Sequence, residues 1–374
     1  MRRNSAGGRG FPAAVARLAL VLVSTALLAA PASALGANAS VVDGQLRYVA
    51  AGGEQNDGGI ALSAAGVYEI YEASAGGAKG IALTAGPGCV ASKTEIKCPK
   101  EGITSIAIAL GDRNDGFNVG DHPVPLAISG GAGTDWVRYY NQEAVPLVIS
   151  ADGVANDGPG GDDNVATDVE SLSGGIFADR LLIGPGGGSL IGWEADDQLT
   201  GGAGNDRIES AYVQDVGTDA GAFYFDGTDT VKCGGGQDFV LADSTDHIAP
   251  DCEAVGKNVK GGFQFMGSNG PDRIDSPYGW EPGVIYGRGG NDVLSGGVFG
   301  AATIYGGAGN DRIHAGDDYD TVDHVYGGSG NDLIRARDPG KGYRDIVACG
   351  PGTDTAIVDR RDSVSGCEHV LRSH

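Results

Sequence analysis

The nonapeptide Gly306-Gly307-Ala308-Gly309-Asn310-Asp311-Arg312-Ile313-His314 recurs almost unchanged at Gly201 to Glu209 and at Gly327 to Arg335. A short glycine-rich unit that repeats in this way limits the fold more than any other feature, because no single copy can bury an apolar face and stacked copies can. Its form is Gly-Gly-x-Gly-x-Asp-x-U-x with U apolar, as in the pairs Asp206/Ile208, Asp311/Ile313 and Asp332/Ile334. Glycines permit positive φ and close backbone approach, and the aspartate adds a hard anionic oxygen. Such turns suit Ca²⁺, which takes six to eight oxygen ligands. The last three residues alternate out, in, out, as a very short strand does.

The unit resembles the repeat of the RTX, or haemolysin-type, calcium-binding proteins. That resemblance implies an all-β fold, a parallel β-roll or β-solenoid of nonapeptide repeats, with Ca²⁺ held in the stacked turns. The sixth-position aspartates expected to ligate the metal are Asp135, Asp163, Asp179, Asp197, Asp206, Asp238, Asp272, Asp292, Asp311, Asp332 and Asp354, helped by the fourth-position glycines Gly204, Gly290, Gly309 and Gly330. From Gly174 to Glu209 four nonapeptides run in unbroken register. Their sixth positions are Asp179, Gly188, Asp197 and Asp206 and their eighth are Leu181, Leu190, Leu199 and Ile208, so only Gly188 departs from the pattern.

Composition agrees with a thin stacked core. The 67 glycines among 374 residues are roughly 18% against an average near 7%, without the three-residue period of collagen. Aromatic residues are 7% of the chain, too few for a thick globular core.

Residues 1–34 read as a secretory signal peptide: Arg2, Arg3, Arg9 and Arg17, an apolar run from Leu18 to Ala30, then Ala32-Ser33-Ala34 as the cleavage site. The expected location is therefore extracellular. Four of the 26 basic residues and none of the 49 acids lie in that segment, so the mature chain carries a formal charge of −27. Such a charge repels nucleic acid and opposes compaction unless counter-ions bind. No later stretch is apolar enough for a membrane span.

Leu35 to Leu110 lacks the calcium turn but alternates in short β-like runs, and is expected to form a β-rich cap over the open end of the roll. The expected divisions are then 35–110 for this cap, 111–257 for a first roll block and 258–374 for a second. Each block ends on one longer motif: Val231 to Glu253 matches Val347 to Glu368, with cysteines and the closing Cys-Glu in equivalent places. The pattern resembles secreted calcium-binding repeat proteins of high-GC bacteria. Six cysteines, all local in pairs, are expected to form Cys89–Cys98, Cys233–Cys252 and Cys349–Cys367; a zinc site is the alternative, but no Cys-x-x-Cys is present.

In the second block the best aspartates, Asp272, Asp292, Asp311, Asp332 and Asp354, are separated by 20, 19, 21 and 22 residues. That spacing predicts one coil per separation and one ladder of calcium turns, with only Asp320 and Asp345 on the opposite edge.

Catalytic motifs are missing: there is no His-Glu-x-x-His, no Gly-x-Ser-x-Gly and no phosphate loop. The expected function is a secreted calcium-binding protein with a structural or cell-surface role and no enzymatic activity. The alternative is a carbohydrate-binding adhesin or carbohydrate-active enzyme, with extracellular polysaccharide stacked on Trp136, Trp193 and Trp280.

Overall fold

A computed structural model describes residues 36–72, 83–92, 94–140, 145–210, 227–243, 245–259, 262–275, 283–297, 300–316, 321–338 and 343–373. The expected signal peptide and Trp280 lie outside them. The described residues hold strands and no helix, and so no helix long and apolar enough to cross a membrane.

The strands wind into parallel coils. One sheet is shared by the whole length, and across it face a sheet of five short strands in the first roll and a sheet of six in the second. In the first roll the shared sheet stacks Leu172 on Leu190, Ile208 and Val240, while the facing sheet stacks Ile149 on Leu181, Leu199 and Val231. All eight are fully buried. At about 1.5–3 kcal/mol for each buried aliphatic side chain, these two columns are the main cohesive element of a core only two residues deep. The second roll repeats the arrangement, with Phe265, Ile285, Ile304, Val325 and Val347 opposite Ile274, Leu294, Ile313, Ile334 and Ala356. Arg273 pairs with Val293, Val293 with Arg312, Arg312 with Leu333 and Leu333 with Thr355. Each predicted separation is thus one full coil.

At the amino-terminal end, strand Gln45–Val49 lies parallel to Ser105–Asp112 and Asp57–Leu62 lies parallel to Gly116–Val119, so residues 45–62 already form a coil. Antiparallel strands cover it: Asn38–Val42 pairs with Gln45–Val49, and Val67–Glu72 joins Asp57–Leu62 to Glu95–Pro99.

Between the rolls the chain reverses. Ala254–Val259 and Gly262–Met266 form an antiparallel hairpin inside the shared sheet, which is parallel on either side of it. The core changes face at the same place. In strand Phe239–Ala242 the side chains of Val240 and Ala242 enter the first core, while those of Phe239 and Leu241 enter the second. Because strand direction and core-bearing face invert together, the two rolls wind with the same hand.

The three disulfides are Cys89–Cys98, Cys233–Cys252 and Cys349–Cys367. The last two, with separations of 19 and 18, close the final coil of each roll, where stacking support ends. Loops of that length contribute about 3 kcal/mol each in the chain-entropy argument.

Candidate calcium site

The turn aspartates are buried and stand one above another, one per coil. In each ladder an aspartate reaches back with Oδ1 and accepts the backbone N–H of the aspartate in the preceding coil. In the second roll these bonds run from Asp272 N–H to Asp292 (2.9 Å), Asp292 to Asp311 (2.9 Å), Asp311 to Asp332 (2.9 Å) and Asp332 to Asp354 (2.8 Å). In the first roll Asp115 N–H donates to Asp135, Asp179 to Asp197 and Asp206 to Asp238. Gly188, which lacks a carboxylate, still donates its N–H to Asp206. A Cβ on Gly188 would lie 1.9 Å from the carbonyl oxygen of Glu170, so the close coil requires glycine there.

Three of the ladders end on a glutamate, whereas the one through Asp179, Asp197 and Asp229 ends on Asp246. Asp135, Asp238 and Asp354 donate their N–H groups to Glu170, Glu253 and Glu368. The final coil is short, with 15 and 14 residues between donor and acceptor in the last two cases, and the extra methylene of glutamate spans the gap. This is the role of the repeated Cys-Glu ending. A second, outer ladder uses the fifth position: Asn291, Asn310 and Asn331 accept the N–H of Asn310, Asn331 and Thr353 in the next coil.

The second oxygen of each aspartate divides the turns into two kinds. In the turns of Asp179, Asp206 and Asp272 it accepts the N–H of the second turn residue, Gly175, Gly202 or Ser268, at 2.6 Å. In the turns of Asp135, Asp238, Asp292, Asp311, Asp332 and Asp354 it is buried with no hydrogen-bond partner. The backbone accounts for the difference. The second residue of these open turns has positive φ, as in Gly131 (104°), Gly234 (91°), Arg288 (72°), Gly307 (110°), Gly328 (109°) and Gly350 (106°), whereas Gly175, Gly202 and Ser268 do not. The peptide before it is rotated, so its N–H turns away from the carboxylate, and in a trans peptide the carbonyl points opposite to the N–H.

Stacking these turns requires glycine at further positions. A Cβ on Gly309 would fall 1.4 Å from the carbonyl oxygen of Gly290, one on Gly330 1.8 Å from that of Gly309, and ones on Gly290 and Gly204 2.2 and 2.3 Å from those of Gly270 and Gly186. The four fourth-position glycines are therefore where successive turns touch, backbone against backbone.

The donor set is hard oxygen throughout. No group of three or more His, Cys, Asp or Glu able to hold a metal occurs among the described residues. An ion here would be held by one or two of these carboxylates together with backbone carbonyls of the turns. That balance fits Ca²⁺ and not a thiolate or imidazole metal.

Three expectations need revision. Asp163 is not a ladder member: its carboxylate is held by Nε2 of His122 (2.8 Å), the hydroxyl of Tyr139 (3.1 Å) and the N–H of Leu126 (2.8 Å), all buried. His122 itself feels burial, which lowers its pKa, and the Asp163 carboxylate, which raises it, with a net rise. The opposite edge of the second roll is fuller than expected. Asp320 is outside the described residues, but Ala302, Asp323 and Asp345 donate their N–H groups to Asp323, Asp345 and Asp362. Its sequence lacks the repeated glycine turn, and its aspartates are joined by the same N–H to carboxylate bonds. The two described tryptophans lie apart from an open platform: Arg138 sits 4.4 Å over the Trp193 ring, whose Nε1 donates to Ser173, and Trp136 lies against Gly116.

Among the turn aspartates, burial raises four of the open-turn carboxyls most. Burial pushes the carboxyl of Asp292 up to about 7, and those of Asp135, Asp238 and Asp332 to about 6. Asp179, Asp206 and Asp272 are also raised by burial, opposed by the turn N–H. A raised carboxyl pKa means that the metal-free fold holds more protons than the unfolded chain between roughly pH 4 and 7, so its stability falls as pH rises through that window. Metal-stripped protein is expected to melt at a higher temperature at pH 5 than at pH 8. In saturating Ca²⁺, where ion and proton compete for the same oxygens, the order reverses. Melting followed by circular dichroism at both pH values checks this; the same order with and without Ca²⁺ would refute it.

A family model of the RTX calcium-binding nonapeptide repeat matches this chain in four copies, at residues 184–210, 284–299, 300–322 and 320–338. No curated protein matches it. The matched segments contain Asp197, Asp206, Asp292, Asp311 and Asp332, together with Gly204, Gly290, Gly309 and Gly330. The chain therefore carries RTX calcium-binding nonapeptide repeats, stacked into parallel β-rolls.

Proposed function

We propose that this is a secreted calcium-binding protein whose ions complete the two rolls, and that it serves as a structural or cell-surface element and not as an enzyme. One observation carries the calcium reading: the buried second oxygens of Asp135, Asp238, Asp292, Asp311, Asp332 and Asp354, which no hydrogen bond satisfies. Unpaired buried carboxylate oxygens are costly, and a divalent cation is the economical partner when the neighbouring donors are carbonyls. The ion would supply positive charge to a row of like charges, and the six aspartates with their turn carbonyls would hold it. Three disulfides suit an oxidising extracellular space. Absence of any catalytic motif in the sequence supports the non-enzymatic part.

Titration calorimetry of the metal-stripped chain is expected to show several Ca²⁺ sites with affinities of about 10⁻⁴ to 10⁻³ M, the range of extracellular modules, and weaker Mg²⁺ binding. Asp311→Ala, in the middle of the open ladder, should lower the count or affinity of two neighbouring sites. Asp345→Ala, on the edge without the glycine turn, should change it less. Equal effects would remove the distinction between the two edges, and no Ca²⁺ uptake at all would overturn the function.

A further inference from the structure

The acids of this chain are gathered in its turns, and one strand face is left cationic. On the outside of the six-stranded sheet of the second roll lies a shallow groove of about 330 Å³, whose lining includes Arg273, Arg312, Arg335 and His314 and a single acid, Asp275. Arg273 pairs with Asp275 at 2.8 Å. Arg312 and Arg335 are exposed, and neither forms an ion pair or side-chain hydrogen bond with another described residue. Two unpaired guanidinium groups in one groove, on a chain whose formal charge is −23 with its leader, point to an anionic ligand.

Register shows what kind. One outward row reads Arg273, Val293, Arg312, Leu333 across successive parallel strands. Strands lie about 4.8 Å apart, so Arg273 and Arg312 repeat at roughly 10 Å along the stack, with an apolar side chain between them. Arg335 sits in the next row, beside His314. The two guanidinium groups without a partner among the described residues, Arg312 and Arg335, lie on adjacent strands in neighbouring outward rows, with Val293 and Leu333 as apolar floor beside them, which suits a linear polymer that carries charged groups between C–H faces.

We propose that this face binds a linear acidic glycan, one bearing carboxylate or sulfate groups along its length. The arginine fork takes such groups in two parallel hydrogen bonds, while Val293 and Leu333 meet the sugar rings. Duplex nucleic acid, with its dense charge, would be repelled by the acidic remainder of the molecule. An acidic polypeptide offers charge without the rigid apolar ring face.

The test uses the mature chain in saturating Ca²⁺, with dextran sulfate, neutral dextran, poly-glutamate and a short DNA duplex as probes. Dextran sulfate is expected to bind and dextran not to bind. Arg312→Ala combined with Arg335→Ala should weaken dextran sulfate binding by about tenfold or more, as losing charge-assisted hydrogen bonds does. Arg180→Ala with Lys232→Ala, on the outer face of the first roll, should leave it unchanged. The calcium-dependent melt of each variant is read alongside, so loss of fold and loss of the groove are separated. If the alanine pair disturbs the melt, the Arg312→Lys, Arg335→Lys pair, which keeps the charge and loses the fork, decides: binding between wild type and none supports the groove. Unchanged binding by either pair, or binding of poly-glutamate or DNA as tight as dextran sulfate, would overturn the proposal. None of these outcomes depends on whether wild-type folding requires Ca²⁺.

Discussion

Removing calcium from the protein is expected to abolish most of its far-ultraviolet β signal, and millimolar Ca²⁺ to restore it. The magnitudes favour a large effect. An ion present at ten times its dissociation constant stabilises the state that binds it by about 1.4 kcal/mol per site. Six independent open turns would together supply about 8 kcal/mol, comparable with the whole stability of an ordinary domain, about 5–15 kcal/mol. Without the ions, residues 35–374 keep a formal charge near −27 and a row of desolvated carboxylates, over a core only two side chains deep. The two terminal disulfides shorten the unfolded chain, yet they constrain one coil of each roll and leave the others free. The measurement is circular dichroism with melting of the metal-stripped protein at pH 7.5, with and without Ca²⁺. An unchanged spectrum and melting temperature would show that the hydrogen-bonded ladders and apolar columns suffice.

Features that depend on period were legible in the sequence. The separations of 20, 19, 21 and 22 between Asp272 and Asp354 are coil lengths, and the paired cysteines are the disulfides. Features that depend on which neighbour a coil meets were harder to read. Gly202 and Gly307 occupy the same place in the repeat, yet one donates to its aspartate and the other has φ of 110°; nothing in the nonapeptide separates them. Asp163 fits the repeat pattern, and only the fold brings His122, 41 residues away, onto its carboxylate. Three other features had signals that could have been read. Asparagine at the fifth position in Asn205, Asn291, Asn310 and Asn331 marks the outer ladder. The glutamate after Cys252 and Cys367 marks the end of an inner one. The unbroken apolar run Phe239-Val240-Leu241-Ala242 is what a strand buried on both faces looks like, and it lies where the core changes side.

Gly309→Ala is expected to be the most damaging single methyl group in the second roll. Its Cβ would lie 1.4 Å from the carbonyl oxygen of Gly290, and its φ of 135° is one that an alanine rarely adopts. The obstacle is backbone, so no side chain can rotate aside; two coils must separate or the turn must change conformation. Strained φ costs about 1–3 kcal/mol and an overpacked contact about 1–3 kcal/mol, and together they predict a loss of roughly 2–5 kcal/mol. Function should suffer in parallel, because moving this turn displaces the carbonyls beside Asp292 and Asp311. Gly235→Ala supplies the comparison. Gly235 stands at the third position of its turn, aligned with Ala203 of the preceding coil, and its nearest neighbour would be a carbonyl oxygen at 3.8 Å. That substitution is expected to change stability by less than about 0.5 kcal/mol, as surface changes usually do. Melting temperatures and Ca²⁺ titrations of the two variants decide the matter. If Gly309→Ala melts and binds like Gly235→Ala, the turns do not touch through their glycines, and the stacked-carbonyl account of the calcium sites fails with them.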